Sequence, residues 1–251
     1  IWITSGISLF SRNTKELKIL THKKEFLVVP RFEEIPFIIH GFGTKYLKEE
    51  HFKEKTELRD FKFLSLIQIH SDTIRVIEKF PDKKLEGDAM LTKCPGIFLI
   101  IKTADCLPVF IVDELNKVIA SVHCGWKSTC KRILKKVIQK MEACCGSTAS
   151  SLLAAMGPCI GRECYEVGED VLKRFENECL PTKVFLNSPV GNGKYLMDLK
   201  EANYCQMIEL GLKKKNIFSV DLCTHCEKYL LSYRRDDNLE GRMLNFIGIS
   251  F

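Results

Sequence analysis

The sequence has no uninterrupted apolar run of about 18 residues, the length a bilayer-spanning helix needs. Its greasiest stretch, "GIFLIIKTADCLPVFIVDE", is broken by Lys102, Asp105 and Pro108. A membrane span is therefore excluded. The opening "IWITSGISLF" does not begin with methionine, and it lacks the charged flank and small-residue cleavage site of a signal peptide, so a piece excised from a longer protein is expected. Internal repeats, low-complexity tracts and Pro/Gly/Ser-rich linkers are also missing, and residues 1–251 read as a single domain. No glycine-rich phosphate loop follows any strand signal. Aromatic residues do not interleave with the basic clumps "THKKE" and "KKK" (Lys213 to Lys215), which argues against nucleic acid as a partner.

What is present suits a soluble globule. The apolar share is 45% over 251 residues, enough for a sizeable core. Twelve cysteines are many, but neighbours such as Cys144 and Cys145 make poor disulfide geometry, so free thiols in a reducing, cytoplasmic setting are expected. The net charge of +6 is scattered and sufficient for a small anionic substrate.

Strand signals come first: "FLSLIQIH" alternates, with Leu64, Leu66, Gln68 and His70 on one face, and "GIFLIIKTADC", "LPVFIV" and "KVIASVHC" are short β-branched runs. Then the period changes. Ile133, Leu134, Val137, Ile138 and Met141 form one helical stripe, with Ser128 or Thr129 as its cap and Gly146 as its stop. Two further helices are predicted in "EDVLKRFENECL" and "DLKEANYCQMIELG", the second with an Asp198/Glu201 capping pair and Gly211 as its end. The polar segment "KYLKEEHFKEKTELRD" reads as an exposed helix or excursion. Together these predict an α+β domain of mixed β-sheets with flanking helices.

Chemistry concentrates in "TADCLPVFIVDELNKVIASVHCGW". With Asp113 to Asn116 as the loop of a hairpin, Cys106 lies directly across from His123, their Cβ atoms about 4.5 to 5.5 Å apart. A five-residue loop would turn the two to opposite faces. On the strand bearing Cys106, Ala104 and Lys102 share its face, placing a positive charge near the thiol. His70 ends another alternating run before the turn "HSDT". Two imidazoles and a thiol are donors suited to zinc or copper, with a fourth position left open. The spacing matches no zinc finger, and the alternative is two hydrogen-bonded histidines beside a small buried cysteine. In "CTHC", Cys223, His225 and Cys226 lie close together, but no partner pair follows them and a metal site there is disfavoured. Arg234 and Arg235 in "SYRRD" suit either bidentate phosphate capture or a surface ion pair.

The segments "QIHSDTI", "GDAMLT", "TADCLPVFIVD", "SVHCGW", "GPCIGRECYEVG" and "SYRRDDNLEGRMLNFI" resemble, in order and spacing, the signatures of the laccase-domain family. This family is also called multicopper polyphenol oxidase or YfiH-like, and its animal members are of the FAMIN type. The resemblance runs from "HGFGTK" at His40 to the C-terminus and implies a single zinc-type site at His70, Cys106 and His123. It implies phosphorolysis of adenosine, inosine, guanosine or methylthioadenosine to base plus ribose 1-phosphate, or methylthioribose 1-phosphate from the last, and hydrolytic deamination of adenosine. Copper-dependent phenol oxidation, which the older label implies, needs several metals, whereas one credible site is legible in the sequence. Lys45 stands where bacterial relatives carry arginine, which removes a planar fork from that loop.

Purine nucleosides and phosphate are thus the expected partners, with zinc, or copper, as cofactor. Asp105 is the nearest carboxylate by sequence for proton transfer, although regular strand geometry would aim it away from Cys106. Arg234 and Arg235, then Lys45 and Lys102, are the expected phosphate cradle, with Gln68 beside them for substrate. Two rival readings stay open: Cys106 as a nucleophile with His123 as its base, and a metal-stapled adaptor without catalysis.

Overall fold

The structure is a computed structural model that describes residues 25–54, 58–188, 190–237 and 241–251. The opening segment and the lysines of "THKKE" lie outside the described residues. Two sheets stack face to face. One has five strands in the order β1 (Phe26–Leu27), β2 (Ile38–Gly43), β14 (Met243–Ile249), β6 (Ile97–Thr103) and β3 (Lys62–Ser65). The other has six, ordered β13 (Ile217–Ser219), β9 (Leu153–Met156), β7 (Leu107–Asp113), β8 (Val118–Cys124), β5 (Ala89–Thr92) and β4 (Ile74–Ile77). A small third sheet joins β10 (Glu166–Gly168), β12 (Lys194–Met197) and β11 (Phe185–Asn187). Parallel and antiparallel pairs mix, as expected of an α+β domain.

Each large sheet is buried on both faces, which is why β6 and β7 read as nearly continuous apolar runs. Between the sheets lie Phe42, Leu99, Ile101 and Ile247 against Met90, Phe110, Val112 and Ile119, with Phe42 and Phe110 stacked at 4.5 Å. Behind the six-stranded sheet pack α4 (Ile133–Cys145), α5 (Glu169–Asn177) and α6 (Leu199–Glu209), following the short helices α1 (Pro30–Glu33), α2 (Glu49–Lys53) and α3 (Trp126–Cys130) in the chain. The predicted stripe of α4 is buried throughout. Asp198 caps α6 by accepting the Glu201 N–H at 2.8 Å, as expected.

Three expectations change. Ser128 and Thr129 do not cap α4, because α3 intervenes and Arg132, at φ 58, breaks the two helices apart; Ser128 instead donates to the carbonyls of His123 and Gly125. The polar segment from Lys45 does carry the expected helix, Glu49–Lys53, but it is not wholly exposed: Leu47, Phe52 and Leu58 are buried against the outer face of the five-stranded sheet, beside Phe98 and Phe246. The run "FLSLIQIH" is strand only to Ser65. Beyond it the Gln68 side chain takes over the ladder, donating to the Lys102 carbonyl at 2.9 Å and accepting the Lys102 N–H at 2.8 Å.

Candidate active site

The site forms where the chain passes from one sheet to the other. β6 belongs to the five-stranded sheet and β7 to the six-stranded one, so Ala104, Asp105 and Cys106 are the crossing between them. Asp105 takes φ 84, a left-handed conformation that makes the turn. The strand carrying Lys102 therefore ends before Cys106, and the shared face inferred from sequence does not exist. Lys102 instead reaches Glu49, Nζ to Oε2 at 2.5 Å.

The hairpin β7–β8 is real, but its register differs from the expected one. Asp113 pairs with Val118 and Pro108 with His123, so the loop is again four residues long but lies one position further along. Cys106 sits two positions away from the expected pairing. A displacement of two preserves the pleat, which keeps the thiol and the imidazole on the same side. Their side chains meet, and His70 joins them, the ring centroids of the two histidines 4.8 Å apart. One donor atom from each of His70, Cys106 and His123 lies within 4.8 Å of the other two.

Asp88 organises this group, and sequence reasoning passed over it. It sits immediately before β5 and continues the β5–β8 register beside His123, whose N–H donates to the Asp88 carbonyl at 2.7 Å. Its carboxylate is completely buried and holds His123 Nδ1 at 2.8 Å. The same carboxylate accepts the N–H of His70 at 3.0 Å and of Ser71 at 2.6 Å, together with the Ser71 hydroxyl at 2.7 Å. Those bonds fix His70 at φ 54. Burial alone would raise the Asp88 pKa, but the hydrogen bonds from His123 and Ser71 bring it down to about 2. Burial opposes charge on His123, yet attraction to Cys106 and the bond to Asp88 outweigh it and raise its pKa to about 9. Burial and the neighbouring His123 lower that of His70. The only hint in the sequence was "GDAMLT", a carboxylate between a glycine and a strand.

The donor set fits a metal. Asp88 on Nδ1 leaves Nε2 of His123 for coordination, the arrangement in which a carboxylate orients a ligating imidazole. Gly125 supports the same conclusion: a Cβ there would lie 2.8 Å from His70 Nδ1 and 3.2 Å from Cys106 Sγ, so only glycine leaves both donors in place.

A cavity of about 620 Å³ opens above the three donors. Its walls include Trp126, Tyr165 and Tyr233, aromatic faces of the kind that bind a flat heterocycle. Arg234 and Arg242 supply positive charge, Arg234 lying 5.5 Å over Tyr165 and Arg242 5.6 Å over Tyr233. Gln68, Lys102 and Asp105 also line the cavity. Trp126, Tyr165, Tyr233 and Arg242 were not picked out from the sequence, although each stands in or beside a segment that was.

The remaining expected site residues divide. Asp105 is buried with both oxygens engaged, Oδ1 by the Thr224 hydroxyl at 2.6 Å and Oδ2 by the Arg234 N–H at 2.7 Å. It anchors the arginine loop. Arg235 does not line the cavity: its guanidinium donates to the carbonyls of Thr224, His225, Glu227 and Leu230 and grips Asp236 with both arms. Lys45 is also outside the lining, its ammonium 5.3 Å over the Tyr46 ring. Gln68 spends its amide on the Lys102 backbone.

A family profile described as multi-copper polyphenol oxidoreductase laccase matches residues 48–250. The chain belongs to this family. A purine nucleoside phosphorylase of Clostridium acetobutylicum is 35% identical over 198 residues, which span 78% of this chain and 79% of that protein. An adenosine deaminase named RL5, from an unknown prokaryotic organism, is 34% identical over 171 residues, 64% of each chain. The crystal structure of the Bacillus licheniformis hypothetical protein YfiH superposes with a TM-score of 0.82 at 27% identity, covering 91% of this chain and 98% of that one. The family relationship and mixed-sheet fold inferred from the sequence are those of these relatives. Among the described residues no helix is long and apolar enough to cross a membrane.

Proposed function

We propose that the chain is a purine nucleoside enzyme. It cleaves adenosine, inosine, guanosine or methylthioadenosine with phosphate, and it deaminates adenosine by hydrolysis. The convergence of His70, Cys106 and His123 beneath a cavity with aromatic and cationic walls carries this reading, and the names of the similar enzymes support it. Zinc is the proposed metal, with copper the other ion these donors suit. His70, Cys106 and His123 would hold it, and when bound it supplies Lewis acidity, the property that activates water for deamination.

In phosphorolysis the nucleophile is phosphate, so the chain needs no nucleophile of its own. A phosphate oxygen bonds to the anomeric carbon, the glycosidic electron pair leaves with the base, and the base takes up the proton that phosphate gives up. Charge develops on the sugar as the bond breaks. Arg234 and Arg242 orient the phosphate and neutralise its charge, while Tyr165 and Tyr233 flank the rings. Burial raises the Tyr165 pKa, so its hydroxyl stays neutral and able to donate a hydrogen bond. Asp88 acts on no substrate; it holds two of the three donors in position.

Incubation with each nucleoside and phosphate, followed by chromatography, tests this. Free base and ribose 1-phosphate that depend on phosphate are expected, with inosine formed from adenosine. Absence of both products from folded, zinc-loaded protein overturns the proposal. The contact between Cys106 and His123 also suits a thiol nucleophile with its base. That reading requires metal-free protein to be active and to lose activity on alkylation of Cys106.

A further inference from the structure

The "CTHC" segment does find a partner, and it precedes the segment in the chain. A turn at Arg162–Cys164 lies against the segment and brings Cys164 to Cys226, sulfur to sulfur at 3.5 Å. One donor atom from each of Cys164, His225 and Cys226 lies within 4.8 Å of the other two. The Cys223 side chain contacts both Cys164 and Cys226. Three thiols and an imidazole from two chain segments thus meet in a small volume, outside the lining of the nucleoside cavity.

We infer that Cys164, Cys223, His225 and Cys226 form a second metal site, a closed four-donor staple for a zinc-type divalent ion. The geometry of the sulfurs favours this over accident. Two sulfurs on one tetrahedral zinc, each at about 2.3 Å from it, stand roughly 3.8 Å apart, close to the separation of Cys164 and Cys226. Cys223 receives N–H groups from Gly161 at 3.1 Å and from His225 and Cys226. A turn that wraps its own amides around the first sulfur of a Cys-x-x-Cys stabilises that sulfur as a thiolate, the form that binds metal. Gly161 makes the close approach possible, since a Cβ there would lie 3.2 Å from the Cys223 sulfur. A divalent ion binds the thiolate form of cysteine, so its arrival displaces the thiol protons.

The staple also has a consequence for the cavity. Thr224, inside the segment, donates its hydroxyl to Asp105 and its N–H to the Cys159 carbonyl. Arg235 grips the carbonyls of Thr224, His225 and Glu227. Arg234 is the residue just before it in that loop, and its N–H is held by Asp105. An ion at the second site braces the loop that presents Arg234 to the substrate. With four protein donors it has no open position and takes no direct part in chemistry.

The test uses the whole chain with the first donor set removed by His70→Ala and Cys106→Ala. Titration of the reduced protein with cobalt(II) without oxygen is expected to fill a remaining site with intense thiolate-to-cobalt absorption, and zinc is expected to bleach it. Adding Cys164→Ser should abolish the band while circular dichroism stays native. In the wild type, zinc should slow alkylation of Cys164, Cys223 and Cys226, mapped by mass spectrometry, by about tenfold or more. If folded protein gives no cobalt band, or zinc leaves alkylation of these three unchanged, the site does not exist. Recovery of a Cys164–Cys226 disulfide from protein kept reduced and supplied with zinc overturns it equally. These readouts do not depend on whether nucleosides are substrates.

Discussion

Asp88 meets His123 across two neighbouring strands, Oδ1 to Nδ1 at 2.8 Å, with the carboxylate wholly shielded from solvent. Because the same carboxylate also binds the backbone N–H of His70, one side chain sets two of the three donors.

Asp88→Asn is therefore expected to weaken metal binding at the first site by about 10- to 100-fold, the usual cost of losing a carboxylate behind a ligating histidine. Competition with a chelator of known affinity measures this. A purely structural role for Asp88 would lower the melting temperature and leave the metal affinity of the folded protein unchanged.

Gly125→Ala should empty the same site without unfolding the chain. The added methyl would press on His70 Nδ1 and Cys106 Sγ, while Gly125 itself has φ −77, a conformation open to any residue. Metal content after zinc loading and gel filtration is the readout, with the circular dichroism spectrum expected to match the wild type.

The two adjacent arginines should separate cleanly. Arg234→Ala is expected to raise KM for phosphate by about tenfold or more, the worth of a charge-assisted hydrogen bond, with little change in melting temperature. Arg235→Ala removes bonds to four carbonyls and should cost about 2 kcal/mol of stability. Equal effects of both on KM and stability would contradict this assignment.

His40 carries an acid sensitivity. Its Nε2 accepts the Val29 N–H at 2.9 Å in the core, and burial lowers its pKa from 6.5 to about 3. Between those values the unfolded chain binds a proton that the native state refuses, so stability falls as pH drops through this window, by about 1.4 kcal/mol per unit. His40→Gln keeps an acceptor without the titration. Urea unfolding from pH 7 to 4 should show a shallower acid slope in this variant than in the wild type.

Much of the fold was legible because burial leaves periodic marks. The stripe from Ile133 to Met141, the Asp198 cap and the apolar runs of β6 and β7 all follow from local pattern. The end of β3 at Ser65 was not, because the Gln68 side chain mimics the backbone and lets an alternating sequence leave the sheet. The hairpin partnership of Cys106 and His123 survived a register error of two because side chains alternate with a period of two; an error of one would have separated them. Arg235 illustrates the limit. Its neighbour faces the cavity, whereas its own direction depends on which carbonyls converge around it.

The sequence by itself determined the runs of β6, β7 and β8, the helices α4, α5 and α6, the mixed sheets, the family and the three donors at residues 70, 106 and 123, since each is written in local residue types and their order. Only the tertiary structure decided that Asp88 stands behind His123, that Asp105 is an anchor, and that Cys164 joins a segment some sixty residues away. These are meetings between distant segments, and they follow from how β6 hands the chain to β7 and how the strands then align, which no local pattern encodes.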